Sequence, residues 1–277
     1  ARRILGVEQE NNKLSHASPP ETRDGPCKAD LRGRFSHELF TVYLPKGAPR
    51  PQIKKEKEGV HMLLYDKRQE VLATAHQLVK SGLVAATWGN VSARDPKTGL
   101  IAITPSGMRY ETLTTEDIVV VDLEGQLRDG KYKPSSETPM HTLIYRERPD
   151  VRAIVHTHSI FATVMATLKR EIPPVIADLA LGVGGNVPVA DFAAPGTREL
   201  GERALAGLGN GNAVLLQNHG VLTVGPTLER AFTIAAIVED AAKIYVYASL
   251  LGTPTLVPAE ILADLFQSFQ SYGQQKS

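Results

Sequence analysis

Apolar positions recur along this chain with two periods, and the change from one to the other marks its elements. Between Tyr65 and Lys80, Leu72, Ala75, Leu78 and Val79 fall at helical spacing and Gly82 supplies a stop, so the segment predicts an amphipathic helix. The stretch Leu228–Leu251 repeats the pattern at greater length, with Ala231, Ile234, Ala235, Val238, Ala241, Ala242 and Tyr245 on one face. That predicts a long helix laid on the core, with Glu239 and Lys243 on its other face spaced for an i,i+4 ion pair. Residues 151–158 and 213–219, by contrast, are β-branched and apolar, as buried strands are. Shorter strands are predicted at Ile101–Ile103 and at 119–122, the latter fed by the acidic turn 114–118 and followed by a Glu124-Gly125 hairpin turn. Residues 87–94 pass from a turn into a further strand, and a second helix runs from the turn at 133–137 to about Arg146.

Both long strands end in histidine. Side chains two apart on a strand share a face, so His156 and His158 can offer two imidazoles to one ion. His219, at the end of the second strand, would complete the three-nitrogen set that a catalytic Zn²⁺ uses while a position stays open for substrate. Taken alone, a His-x-His pair reads as well as two core or surface histidines with ordinary partners. Its neighbours decide the matter.

Three polar turns accompany the histidines: Thr87-Trp88-Gly89-Asn90, Thr104-Pro105-Ser106-Gly107 and Lys133-Pro134-Ser135-Ser136-Glu137. Small residues with free amides and hydroxyls at a helix start suit an anion, and three such turns suggest a phosphate cradle. Glu137 follows the serine pair, so a phosphate held by Ser135 and Ser136 would leave its carboxylate a few residues' reach along the substrate. There it could ligand the metal, act as general base, or merely complement the dipole of the helix that it opens. His141, four residues on and on the same helical face, is a rival ligand, although the position suits helix packing better.

Composition narrows the classes. Formal net charge is +1, without the basic stripe of a nucleic-acid binder, and no apolar run reaches the ~20 residues that span a bilayer. Cys27 is the only cysteine, which excludes an intrachain disulfide framework and fits a reducing, cytoplasmic setting. Residues 1–61 differ from the rest. They hold 12 Lys/Arg against 8 Asp/Glu, six of the 18 prolines and little periodicity, so they read as a disordered extension or as sequence added by a misassigned start codon ahead of the true start at Met62. The catalytic domain is accordingly expected over residues 62–277.

In order, Gly89-Asn90-Val91-Ser92-x-Arg94, Pro105-Ser106-Gly107, Pro134-Ser135-Ser136-Glu137, His156-x-His158, Gly196-Thr197-Arg198-Glu199-Leu200 and Asn218-His219-Gly220 resemble the class II aldolase/adducin family, with the fuculose-phosphate aldolases as the most similar member type. The resemblance covers residues 65–272. It implies a three-layer α/β/α domain around a mostly antiparallel sheet, assembled as a cyclic homotetramer with active sites between subunits. It implies Zn²⁺ on His156, His158 and His219, with Co²⁺ or Mn²⁺ also suited to such a set, and Glu137 as fourth ligand at rest and acid/base in turnover. Gly89, Asn90, Ser106, Gly107, Ser135 and Ser136 would hold the substrate phosphate.

The reaction so implied is cleavage of a ketose 1-phosphate, of the L-fuculose 1-phosphate type, to dihydroxyacetone phosphate and an aldehyde through a metal-stabilised enediolate. Family members supply a tyrosine acid from a neighbouring subunit and a second near the C-terminus. Tyr272, in Phe269-Gln270-Ser271-Tyr272-Gly273, matches the second. The interior segment 172–178 has no tyrosine, and Asp178 stands beside the vacant position as a substitute. Relatives on the same metal site include epimerases, decarboxylases and dehydratases, but the epimerases carry aspartate where this chain has Glu137. Adducin-type scaffolds, the non-catalytic alternative, are marked by loss of the histidines that this chain keeps. The glycine-rich run 181–186 lacks the strand, spacing and helix of a dinucleotide fingerprint and is expected as a turn near a subunit boundary.

Overall fold

The computed structural model describes residues 62–270; residues 1–61 and Tyr272 lie outside them. In chain order the elements are α1 (Tyr65–Lys80), β1 (Asn90–Arg94), β2 (Ile101–Ile103), β3 (Val119–Val121), β4 (Leu127–Asp129), α2 (Thr138–Glu147), β5 (Ala153–Thr157), α3 (Ile160–Thr167), α4 (Ala177–Val183), β6 (Val189–Ala190), α5 (Arg198–Leu208), β7 (Ala213–Leu216), β8 (Gly220–Gly225), α6 (Leu228–Leu251) and α7 (Leu262–Gln270). The strands form one sheet in the order β4-β3-β2-β1-β5-β8-β7-β6, antiparallel throughout except for the parallel β6–β7 pair at one edge. Among the described residues no helix is long and apolar enough to cross a membrane.

Alternation along the strands assigns each residue to a layer. Ile101, Ile103, Ile154, Leu222 and Val224 pack with Met140, Ile144, Leu200 and Ala204 of α2 and α5. Their neighbours Ala102, Val91, Ala93, Ala153 and Val155 point the other way, onto Val71, Ala75 and Leu78 of α1 and Ala231 and Ala235 of α6. Burying one such Val or Leu side chain is worth about 1.5–3 kcal/mol, so both faces need their helices. The result is the expected helix–sheet–helix sandwich.

Antiparallel pairing also brings the chemistry together. β5 lies between β1 and β8, with Asn90 opposite His156 and Thr157 opposite Val221, so the start of β1 and the start of β8 meet at the end of β5. β2 ends beside the start of β1, at the pair Ser92–Ile103, which carries the turn at 104–107 to the same end of the sheet. The turn at 133–137 is bonded to it: Ser106 N donates to the Lys133 carbonyl (3.0 Å) and Ser135 N to the Thr104 carbonyl (3.1 Å).

Three expectations need correction. β7 stops at Leu216, and His219 sits in the turn leading into β8, where Asn218 adopts φ 57°. A short amide side chain tolerates that left-handed conformation, so the chain turns there rather than extending to the histidine. The run 181–186 is not simply a turn: Leu181, Gly182 and Val183 close α4, because Leu179 and Ala180 are buried and hold the helix, and Gly184 caps it at φ 85°. Glu239 does not serve an ion pair with Lys243. Its carboxylate instead accepts from the Phe161 and Ala162 amides (2.9 and 2.8 Å), capping α3, while the Lys243 ammonium lies 5.7 Å from the Phe161 ring centre. Two unpaired backbone donors at a helix start hold a carboxylate better than one exposed lysine does.

Candidate metal centre

His156 is the innermost member of the site. It is fully buried on the α2-facing side of β5, and its Nδ1 donates to the Val221 carbonyl (2.9 Å) of β8. That bond fixes the tautomer, leaving the Nε2 lone pair pointing out of the sheet end. There Nε2 stands 3.0 Å from His158 Nε2 and 3.0 Å from Glu137 Oε2, while Glu137 Oε1 lies 3.2 Å from His219 Nε2. One nitrogen from each imidazole falls within 4.8 Å of the others.

This cluster has too many lone pairs and too few protons. Burial and the neighbouring imidazoles push His158 down to about 3, and burial with His156 pushes His219 down to about 4, so both are neutral near pH 7. Burial alone would raise Glu137, but His156, His219 and the Asn90 amide outweigh it and hold the carboxyl below its usual range. Three of these donor–donor separations, 3.0 Å from His156 to His158, 3.0 Å from His156 to Glu137 and 3.2 Å from His219 to Glu137, are close to the ~3.3 Å between donor atoms around a tetrahedral Zn²⁺, so the set suits a divalent cation. Glu137 Oε1 is buried with no hydrogen-bond partner, as an acceptor waiting for a cation would be.

Glycines let the backbones close around the site. A Cβ on Gly220 would lie 2.3 Å from the Thr157 carbonyl oxygen, and one on Gly89 2.6 Å from that of His156. Gly220→Ala is therefore expected to push β8 away from β5, to cost about 1–3 kcal/mol in thermal unfolding, and to weaken metal binding measured on the same sample.

The phosphate candidates gather at one edge of this cluster. Gly89 adjoins His156, Ser106 and Gly107 are exposed in a turn bonded to that of Ser135 and Ser136, and Ser135 Oγ accepts from the Glu137 amide (3.3 Å). Asn90 is different, being 4% exposed with its Nδ2 donating to Glu137 Oε2 (2.9 Å) and its Oδ1 2.5 Å from His141 Nε2. Only one Nδ2 hydrogen is left for a substrate. His141 is no ligand in this arrangement, since its other nitrogen meets Ser92 Oγ at 2.7 Å; burial pushes it down to about 3. Asp178 stands exposed on the first turn of α4, and no hydrogen bond or ion pair among the described residues joins it to the histidines. Trp88, 59% exposed, lies 6.2 Å from His158 ring to ring and nearly parallel to it; it is a wall of the site that sequence reasoning passed over.

The class II aldolase and adducin N-terminal domain model matches residues 69–246. This chain is a class II aldolase/adducin family member. Among curated relatives of the family, it is 40% identical over 214 residues to a 5-deoxy-D-ribulose 1-phosphate aldolase of Bacillus thuringiensis serovar kurstaki, covering 77% of this chain and all of that protein. It is 37% identical over 206 residues to the L-fuculose phosphate aldolase of Escherichia coli K12, 74% of this chain and 94% of that one. A solved structure of an L-fuculose 1-phosphate aldolase superposes with a TM-score of 0.73 at 39% identity, over 76% of this chain and 100% of that one. In this family member the depressed imidazoles set the acid response of the metal-free fold. His141, His158 and His219 stay neutral when folded but protonate near 6.5 when unfolded, so unfolding takes up protons and stability falls as pH drops from about 6.5 toward 4. Chelator-treated protein should melt lower at pH 5 than at pH 7.5.

Proposed function

We propose that the chain is a divalent-metal-dependent aldolase that cleaves a ketose 1-phosphate to dihydroxyacetone phosphate and an aldehyde. One observation carries the reading: the Glu137 carboxylate sits between His156 and His219, beside the serine turns, with Asn90 holding it. His156, His158 and His219 would hold the cation, Zn²⁺ foremost, with Glu137 as a fourth ligand at rest. When bound, the cation supplies Lewis-acid polarisation of the substrate carbonyl.

The protein's own groups do the rest. Gly89, Ser106, Gly107, Ser135 and Ser136, with the remaining Asn90 hydrogen, hold the phosphate and so set which carbon faces Glu137. The C4 hydroxyl gives up its proton as the C3–C4 bond breaks, and that electron pair is drawn toward the carbonyl. Glu137 then returns a proton to C3, completing dihydroxyacetone phosphate, and in synthesis removes it again. Tyr272 and Asp178, brought by another subunit or the chain end, are assigned the proton at the aldehyde oxygen. A homotetramer with sites between subunits is supported by the exposed apolar face at the end of α6, where Ile244, Tyr247, Leu250 and Leu251 are uncovered.

The relatives support one substrate class. 5-Deoxyribulose and fuculose, itself a 6-deoxyketohexose, are both ketoses that end in a methyl group, and relatives of this chain are named as aldolases of their 1-phosphates. The test is release of dihydroxyacetone phosphate from 5-deoxyribulose 1-phosphate and from L-fuculose 1-phosphate, with Zn²⁺-loaded and chelated samples. Metal-dependent release from either supports the reading; none from either, with metal bound, overturns it in favour of epimerisation or decarboxylation. We take residues 62–277 as the functional unit, so a protein begun at Met62 is expected to keep full activity in the same assay.

A further inference from the structure

Two periodicities meet behind Glu137. On α2 and its cap, Glu137, His141 and Tyr145 are spaced by four and share a helical face; on β1, Asn90 and Ser92 are spaced by two and face them. The polar contact between these faces is continuous. The Tyr145 hydroxyl lies 2.8 Å from Ser92 Oγ and donates to the Ser92 carbonyl (3.0 Å), Ser92 Oγ lies 2.7 Å from His141 Nδ1, His141 Nε2 lies 2.5 Å from Asn90 Oδ1, and Asn90 Nδ2 reaches Glu137 Oε2 at 2.9 Å. All five residues are buried, Ser92, His141 and Tyr145 completely.

Donor and acceptor roles run in one direction along this chain. Turning the Asn90 amide over would set its carbonyl oxygen against the Glu137 carboxylate, acceptor against acceptor, so Nδ2 must face Glu137 and Oδ1 must face His141. His141 Nε2 must then carry a hydrogen. With Nε2 protonated, Nδ1 is free to accept from the Ser92 hydroxyl, and the single Tyr145 hydrogen is shared between Ser92 Oγ and the Ser92 carbonyl. No solvent reaches the chain to substitute for a missing partner.

We infer that His141 is a positioning residue for Glu137. It touches neither the histidine nitrogens nor the space before them; its Nε2–H fixes the Asn90 amide in the single orientation that donates to the carboxylate. Without that donor, Asn90 Oδ1 is a buried acceptor with no partner, and the amide turns away to find one. The carboxylate then loses the bond that holds it between His156 and His219. This inference rests on reading Glu137 as the working carboxylate of the site, whereas an ordinary helix–strand packing network would tolerate any polar replacement of similar size.

Two replacements separate these cases. In His141→Gln the side-chain amide reaches the place of Nε2 and keeps a donor for Asn90; in His141→Asn it reaches only the place of Nδ1, keeping Ser92 and losing Asn90. His141→Asn is expected to lower kcat about 10–100-fold with KM little changed, and to weaken Zn²⁺ binding, measured by chelator competition, by about tenfold, while His141→Gln restores most of both. In an Asn90→Ala background, His141→Asn should add no further loss. Equal losses in the two variants, or an undiminished loss in that background, overturn the inference. If wild-type protein releases no dihydroxyacetone phosphate, the aldolase reading fails and the Zn²⁺ affinities alone decide on His141. If His141→Asn does not fold, His141→Gln decides: retained Zn²⁺ affinity supports the inference and its loss overturns it.

Discussion

Replacing Glu137 with glutamine is expected to lower kcat about 10²–10⁴-fold while metal stays bound, the range that a positioned general acid/base contributes. The side chain is 4% exposed and its shape is set by three contacts, from His156, His219 and Asn90, so an isosteric amide fits the same space. Its oxygen can still accept from Asn90 Nδ2, which directs the amide nitrogen toward His219. A neutral amide in that place cannot take up or return a proton at carbon. The three imidazoles are untouched, so metal content should survive at reduced affinity, and the serine turns are untouched, so KM should change far less than kcat. Metal analysis beside steady-state kinetics checks each half. Normal turnover by the variant would remove Glu137 from the chemistry and turn attention to Tyr272 and Asp178.

What made Glu137 legible was its company. A carboxylate at a helix start is ordinary by itself, but one directly after two serines, in a chain with His-x-His on a strand, has a chemical use. The same holds for α1 and α6, whose apolar stripes run long enough to fix both type and extent. His219 was legible as a member of the histidine cluster but not as a turn residue, because the strand pattern runs on past Leu216; Asn218 is the residue that signals the left-handed turn. Glycines hid the end of α4, whose burial against the rest of the domain outweighs their poor propensity.

The polar chain behind Glu137 was harder to see. Ser92 and Tyr145 lie 53 residues apart, and each is unremarkable in its own element. Only the register of β1 against α2 makes them partners. The spacing 137, 141, 145 was present in the sequence as a signal, yet helix packing accounts for it equally well until the facing strand is known. Capping by Glu239 was invisible for the same reason: its acceptors, the Phe161 and Ala162 amides, sit on a helix 77 to 78 residues away.

His219→Ala is expected to weaken metal binding about 10²–10³-fold and to abolish turnover at ordinary metal concentrations. Apparent binding free energies of four-ligand Zn²⁺ sites run to about 10–16 kcal/mol, or about 3 kcal/mol for each ligand, which corresponds to that factor. Among the three histidines this one gives the cleanest test. His156 is fully buried and its Nδ1 serves the Val221 carbonyl, so its removal would leave a cavity and an orphaned acceptor and confuse folding with binding. His219 sits in a turn, its Nδ1 has no hydrogen-bond partner, and the turn is shaped by the backbone of Asn218 and Gly220. Truncating it removes a donor atom and little else, so thermal unfolding of metal-free protein should stay close to wild type. Trp88 is the only tryptophan and stands 6.2 Å from His158, so its fluorescence can follow Zn²⁺ titration without any reliance on activity. A variant that binds Zn²⁺ as tightly as wild type would show that His219 lies outside the coordination set, leaving His156, His158 and Glu137 to hold the ion.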